Sequence, residues 1–397
     1  MARKCAKCGV VSEIEEAFQK SNFSDEIFYC PACSKGKSIQ LGESFLIACP
    51  IVLIGGLVWV MVNPQNEFAW LVFQAGLFMC FYPLSVVFHE FGHVLAGLIT
   101  KSTIYGVTIG FGRILFKFEL RGVEWRFCKV PVGGFTYVSS GDRKFYRIRN
   151  IMTTLGGPLM NCLLVIVLAI VLFHISSPWL SAIIKAFMAL NIFVCFYALV
   201  PKNRKDSGRN VPSDGLSLLT EPFKSKPEID KEIEGYYVWE GYNRIIKGCI
   251  EDARRSYEKG LGYFPDSIAL QDGIGRVLLE LGNYADARSM FVRLQKNTDL
   301  KPATTVSLLN EIAIADIMMG TEQLLDEADD FTKTALEKMP WQAEFKGTRG
   351  LVLAKKGQIE QGLALLREAM DKTENPSHKA AYANYITEYE SKKSNSV

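Results

Sequence analysis

Only four histidines occur among the 397 residues, and two of them, His89 and His93, stand four positions apart. The net charge of +3 is too small to serve a nucleic-acid ligand, and no such partner is expected. The first 40 residues lack an apolar core segment, so no secretory signal is read there. Lys and Arg are missing from two short stretches, 63–67 and 174–177, each set between long apolar runs.

A disulfide scaffold is argued against by spacing, although there are ten cysteines. Four of them form Cys5-x-x-Cys8 and Cys30-x-x-Cys33, the pair-of-pairs spacing of a zinc ribbon. Four sulfurs around zinc leave no open position, so residues 1–37 are expected to hold a structural rather than a catalytic ion. Thiolate ligands suit a reducing compartment, which places the N-terminus in the cytosol.

What the sequence does have is a block of apolar runs. Four transmembrane helices are expected, at about 45–62, 69–99, 151–173 and 178–200, in a membrane domain spanning 43–222. Basic residues gather before the first span, between the second and third, and after the fourth. The positive-inside rule then makes both termini and the central loop cytosolic, and the zinc ribbon independently argues for the same side. The expected setting is a multi-pass protein of the bacterial inner membrane. In the central loop, Ile104–Phe118 and Val123–Val138 are rich in β-branched and aromatic residues and read as a β-hairpin turning at Arg121-Gly122. Such a strand at the membrane boundary either accepts an extended peptide by strand addition or simply covers the core.

After a linker at 223–233, residues 234–397 repeat. Gly241, Gly275, Ala313 and Gly350 precede Gly248, Gly282, Gly320 and Gly357 by seven residues each. Ala253, Ala287, Ala328 and Gly362 follow, with Tyr257, Phe291 and Leu366 four further on in three of the copies. Small residues at these places let antiparallel helices approach closely. Period and pattern resemble the tetratricopeptide repeat, which implies a superhelix that binds a protein partner. The expected fold class is therefore mainly α. It combines a polytopic helical membrane core, a small β-hairpin at its boundary, a zinc ribbon and an α-solenoid of helix pairs.

Histidines four apart on a helix project from one face and can share one zinc ion, while Glu90 is placed to accept a proton from water there. Ionisable groups inside an apolar helix cost about 2.5–3.5 kcal/mol each if charged, so a purely structural role is a poor explanation. A catalytic zinc needs a third ligand, and neither His174 nor His378 is suitably placed. The carboxylates available near the cytosolic side are Glu119, Glu124, Asp142, Asp206 and Asp214. Asp214 is favoured because Pro212 precedes it, Gly215 follows it, and Leu216–Leu219 turns back toward the core.

These residues resemble the site-2 protease family of intramembrane zinc metalloproteases, over about residues 84–219. The His-Glu-x-x-His helix matches at His89, Glu90 and His93. The glycine-bearing loop resembles Pro131-Val132-Gly133-Gly134-Phe135, and the Gly-Pro-x-x-Asn signature is similar to Gly157-Pro158-Leu159-Met160-Asn161. The Asp-Gly motif matches Asp214-Gly215. The resemblance implies a three-helix core with catalytic zinc on His89, His93 and Asp214, Glu90 as general base, and a transmembrane protein as substrate. It also implies support of the active site or substrate by Gly133, Gly134 and Asn161.

The chain departs from the family at Ala198, where Asn is usual, and at Ser213, where Leu is usual. Asn191, two helical turns before Ala198, is the residue available to compensate. No PDZ-like module is evident in the central loop. The expected function is regulated intramembrane proteolysis, with the repeats recruiting a partner or substrate. One alternative is a weak or inactive membrane scaffold working through its ribbon and repeats. Another is a membrane zinc peptidase acting on soluble or lipidated peptides.

Overall fold

Long apolar runs become long helices because a backbone surrounded by apolar side chains must satisfy its own hydrogen bonds. They are α1 (Gln40–Val62), α2 (Glu67–Ile99), α3 (Tyr146–Leu172) and α4 (Pro178–Leu199). The computed structural model describes residues 40–206, 209–297, 299–373 and 375–394, with Arg3–Lys4, Val11–Ser12, Ile14, Gln19–Lys20 and Phe28–Tyr29. It divides into two units, one of residues 36–233 and one of residues 1–35 with 234–397. Among the described residues, α2, α3 and α4 are long and apolar enough to cross a membrane, and Ala48–Val62 forms a shorter apolar helix within α1. Cys5, Cys8, Cys30 and Cys33 lie outside the described residues.

Local chemistry sets the helix ends. Asn66 Oδ1 accepts from the Phe68 and Ala69 N–H groups at the start of α2, and Ser177 caps α4 through Leu180 N–H. Helix α2 stops where Lys101 takes a left-handed φ of 56° and the Ser102 N–H reaches back 2.9 Å to the Gly97 carbonyl. Trp70 packs on Trp179 near one end of the helices and donates to the Pro64 carbonyl, as aromatic residues do at a membrane surface.

Helices α2 and α3 touch backbone to backbone. A methyl group on Gly92 would lie 2.2 Å from the Gly156 carbonyl oxygen, and one on Gly156 would lie 2.4 Å from that of Gly92. Small residues permit such approach where no water drives helices together. Gly156→Val is therefore expected to destabilise the protein by at least about 1–3 kcal/mol, read as a lowered thermal transition in detergent. Gly55, which has open space where its side chain would be, supplies the control. Equal transitions for Gly156→Val and Gly55→Val would refute the close packing.

Strands β1 (Thr103–Leu120) and β2 (Val123–Ser139) pair antiparallel. They are joined at Arg121 and Gly122, both with positive φ (52° and 80°), as a tight hairpin requires. Residues 106–109 pair with 134–137 and also with 124–127, so the two bent strands lay down four rows. The bends fall at Gly110, Gly112 and Gly133. Val86 and Val94 of α2 bury against Ile104, Val107, Ile109, Val123 and Trp125 of the sheet. The row 134–139 lies at an edge, with no further strand beside it among the described residues.

After α4, strands β3 (Asn203–Asp206) and β4 (Arg209–Pro212) lead into the short helix α5 (Asp214–Thr220). The stretch expected as a linker is helical from Lys226, the start of α6 (Lys226–Ile246). Then come α7 (Ile250–Tyr263), α8 (Ile268–Glu280), α9 (Tyr284–Gln295), α10 (Pro302–Met319), α11 (Glu322–Lys338), α12 (Ala343–Lys355), α13 (Ile359–Lys372) and α14 (Pro376–Ser394). The repeating glycines Gly248, Gly282, Gly320 and Gly357 sit at the turns within pairs, with φ between 73° and 84°. Tyr257 and Phe291 fill the space left by Gly241 and Gly275, where a methyl group would meet the ring at 2.4 Å. The repeat pattern thus encodes both the turns and the close contacts of a helical solenoid.

Candidate metal centre

The last turns of α2 divide their residues between two sides. Val86, Glu90, Val94 and Gly97 face the sheet, while Ser85, His89, Gly92 and His93 face α3 and α4. His89, Glu90 and His93 are all buried. The Nε2 atoms of His89 and His93 are 3.2 Å apart, and Asp214 Oδ2 lies 3.0 Å from the first and 3.5 Å from the second. Among the described residues this trio is the group of His, Cys, Asp or Glu side chains able to hold a metal ion.

Each partner is placed by an identifiable contact. The Ser213 hydroxyl donates to the Val200 carbonyl and accepts from the N–H groups of Lys202 and Leu216, so it ties the end of α4 to the start of α5. That fixes Asp214 in the first turn of α5. Gly215 permits the approach, since any side chain there would collide with the Leu199 carbonyl. Gly157 leaves the space that the two imidazoles occupy: a methyl group on it would lie 2.4 Å from His93 Nε2 and 2.6 Å from His89 Nε2. On the sheet side, Thr136 Oγ1 donates to Glu90 Oε2 at 2.6 Å, and Gly134 makes room for the same carboxylate.

The donor set suits a divalent cation. His93 Nδ1 is 2.8 Å from the Thr153 carbonyl, which only accepts, so that nitrogen carries the proton and Nε2 presents a lone pair. His89 Nδ1 lies 2.6 Å from Asn161 Oδ1. Burial pushes the Asp214 carboxyl up, but the two adjacent imidazoles outweigh it and hold the group well below the ordinary carboxylate range. Three electron-rich atoms converging this closely repel one another unless a cation lies among them. Zinc with bonds of 2.0–2.1 Å to a tetrahedral set has ligand-to-ligand edges of about 3.3–3.4 Å, close to the separations found here.

Of the other residues singled out in the sequence, Gly134 abuts Glu90, and Gly133 bends the strand just before it. Asn161 contacts His89 directly, whereas Asn191 contacts Asn161 and no metal-binding atom. Glu124 pairs with Lys117 and Arg126, and Asp142 pairs with Arg149, so neither joins the cluster. Sequence reasoning passes over Ser85, Thr136, Gly157 as a spacer, and the Thr153 carbonyl. Ser85 carries a readable signal, being polar and one helical turn before His89 in an apolar helix. The Thr153 carbonyl carries none, because every residue has one.

Buried histidines, a carboxylate and a neighbouring glutamate between membrane-length helices define a membrane protein with a metal-binding centre. The chain belongs to peptidase family M50, whose model matches residues 77–361, well over half of it. A provisionally named zinc metalloprotease of Rhizobium meliloti is 29% identical over 136 residues, covering 28% of this chain and 36% of that one. Another from Rickettsia conorii is 27% identical over 100 residues, covering 21% of this chain and 28% of its own length. The matches thus span about a third of each relative. Yeast Tom70 is 10% identical, with 89% of this chain and 60% of that chain covered at a TM-score of 0.33, a likeness too slight to argue from. The family implies zinc, and the trio fits it.

Proposed function

We propose that this chain is an intramembrane zinc metalloendopeptidase that cuts peptide bonds within or near transmembrane segments of other proteins. The observation that carries the reading is the buried His89–His93–Asp214 trio with Glu90 on the same helical turn. Zinc bound there supplies Lewis acidity to a substrate carbonyl and to water. Glu90 takes the proton from the attacking water and delivers it to the departing amine. Thr136 holds the Glu90 carboxylate in place by its 2.6 Å hydrogen bond. The row 134–139 at the edge of the sheet, next to Glu90, receives the unwound substrate as an added strand, so that its backbone hydrogen bonds are met beside the site.

The centre lies toward the end of α2 that leads into the central loop. His93 lies roughly 12 Å along the helix axis from Lys101, while Trp70 marks the far end. With the basic residues of the central loop on the cytosolic side, cleavage falls toward the cytosol and both termini are cytosolic. The helix pairs after Lys226 recruit a protein partner or substrate, and the cysteine pairs at Cys5, Cys8, Cys30 and Cys33 hold a structural zinc.

The test is reconstitution of the full chain in liposomes with a single-span substrate. Cleavage is expected to fall to background on removal of metal with a strong chelator and to return with added zinc. Cleavage indifferent to chelation would sink the metalloprotease reading. The scaffold reading rests on Ala198, a buried residue of α4 that offers no side-chain hydrogen bond. Absence of cleavage of any single-span substrate by zinc-loaded protein would favour it.

A further inference from the structure

Three polar side chains with no exposed surface, Ser85, Asn161 and Asn191, lie together among α2, α3 and α4. Unpaired, each would be costly in so apolar a place. They pair with one another, and the order of pairing has a direction. Asn191 Nδ2 is 2.8 Å from the Phe187 carbonyl. A carbonyl oxygen only accepts, so this end of the Asn191 amide is its NH₂. The other end, Oδ1, therefore faces Asn161 Nδ2 at 2.7 Å and Ser85 Oγ at 3.0 Å, and accepts from both. The Asn161 amide is thereby fixed with its oxygen toward His89 Nδ1, at 2.6 Å.

The orientation matters because a reversed Asn161 amide would offer NH₂ to His89 Nδ1. The imidazole would then carry its proton on Nε2, the atom that faces His93 and Asp214, and could not bind a metal there. We propose that Asn191 and Ser85 are positioning residues that, starting from the Phe187 carbonyl, lock the Asn161 amide and through it the metal-binding tautomer of His89. This inference rests on the zinc site proposed above. His93 needs no such chain, because the Thr153 carbonyl fixes its tautomer directly. Outer-shell partners that orient a ligating histidine are commonly worth about 10–100-fold in metal affinity.

The experiment measures zinc affinity by chelator competition, in the full chain with Cys5, Cys8, Cys30 and Cys33 replaced by serine. Asn191→Leu is expected to weaken zinc binding by about 10–100-fold. Asn161→Asp puts an acceptor beside His89 whichever way the side chain turns, so it removes the need for the lock. The double variant Asn161→Asp/Asn191→Leu is therefore expected to bind zinc no more weakly than Asn161→Asp alone. A role for Asn191 in packing only predicts that Asn191→Leu weakens zinc binding in the Asn161→Asp background as well, and that outcome would overturn the proposal. Unchanged affinity in Asn191→Leu would overturn it while leaving the zinc site standing. A parent protein that binds no zinc would overturn both.

Discussion

Glu90→Gln is expected to slow cleavage of a reconstituted single-span substrate by about 10²–10⁴-fold, with zinc content unchanged. The substitution keeps the shape of the side chain, and the Gln carbonyl can still accept from Thr136. What it removes is the capacity to take and return a proton. Glu90 sits on the sheet-facing side of α2, whereas the metal-binding trio lies toward α3, so the change leaves the ligands untouched. The measurement pairs single-turnover cleavage rates with zinc content of the same preparations. Cleavage surviving at more than a tenth of the wild-type rate would exclude Glu90 as the proton carrier. A parallel loss of zinc would instead make it part of the metal site.

Asp214→Asn carries the other large effect, this time on the metal itself. His89 and His93 offer neutral nitrogen, so Asp214 supplies the negative charge in the cluster. Its replacement by a neutral amide leaves zinc with two nitrogens and a weak carbonyl donor. The loss of affinity is expected to exceed the roughly 10–100-fold typical of an outer-shell partner. Ser213 and Gly215 still clamp α5 against the end of α4, so backbone displacement does not explain the effect. Zinc affinity of the full chain, with the four N-terminal cysteines changed to serine, is the readout. Affinity equal to that of the parent would mean that Asp214 is no ligand.

Much of the architecture is legible in the order of residues alone, because it rests on local periodicity. The apolar runs mark the long helices within a few residues of their ends, the Arg121-Gly122 pair marks the hairpin turn, and the spaced glycines mark the repeat turns. Other features escape for identifiable reasons. Residues 223–233 read as a linker, and the two units do part at 233/234, but from Lys226 the chain is already in α6, the helix that carries Gly241 of the first repeat. The sheet reads as two strands, but glycine bends split each strand and yield four rows. Ser213 reads as a departure from the family, and its hydroxyl makes three hydrogen bonds that set the direction of Asp214.

The sequence by itself determined the long apolar helices, three of them of membrane length, and the repeats, and it put His89, Glu90 and His93 on one turn, since spacing along a helix is a property of the chain. It narrowed the third ligand to a handful of carboxylates and favoured Asp214 among them, from Pro212, Gly215 and the apolar Leu216–Leu219 around it. Tertiary structure supplied the neighbour: Asp214, 125 positions from His89, lies 3.0 Å from its Nε2 at the start of the helix that the Ser213 clamp ties down. It also decided which nitrogen of each histidine is free, through a carbonyl of α3 for one and a chain of amides from α4 for the other. Hydrogen-bond direction depends on which groups meet across helices, and no spacing along the chain records that.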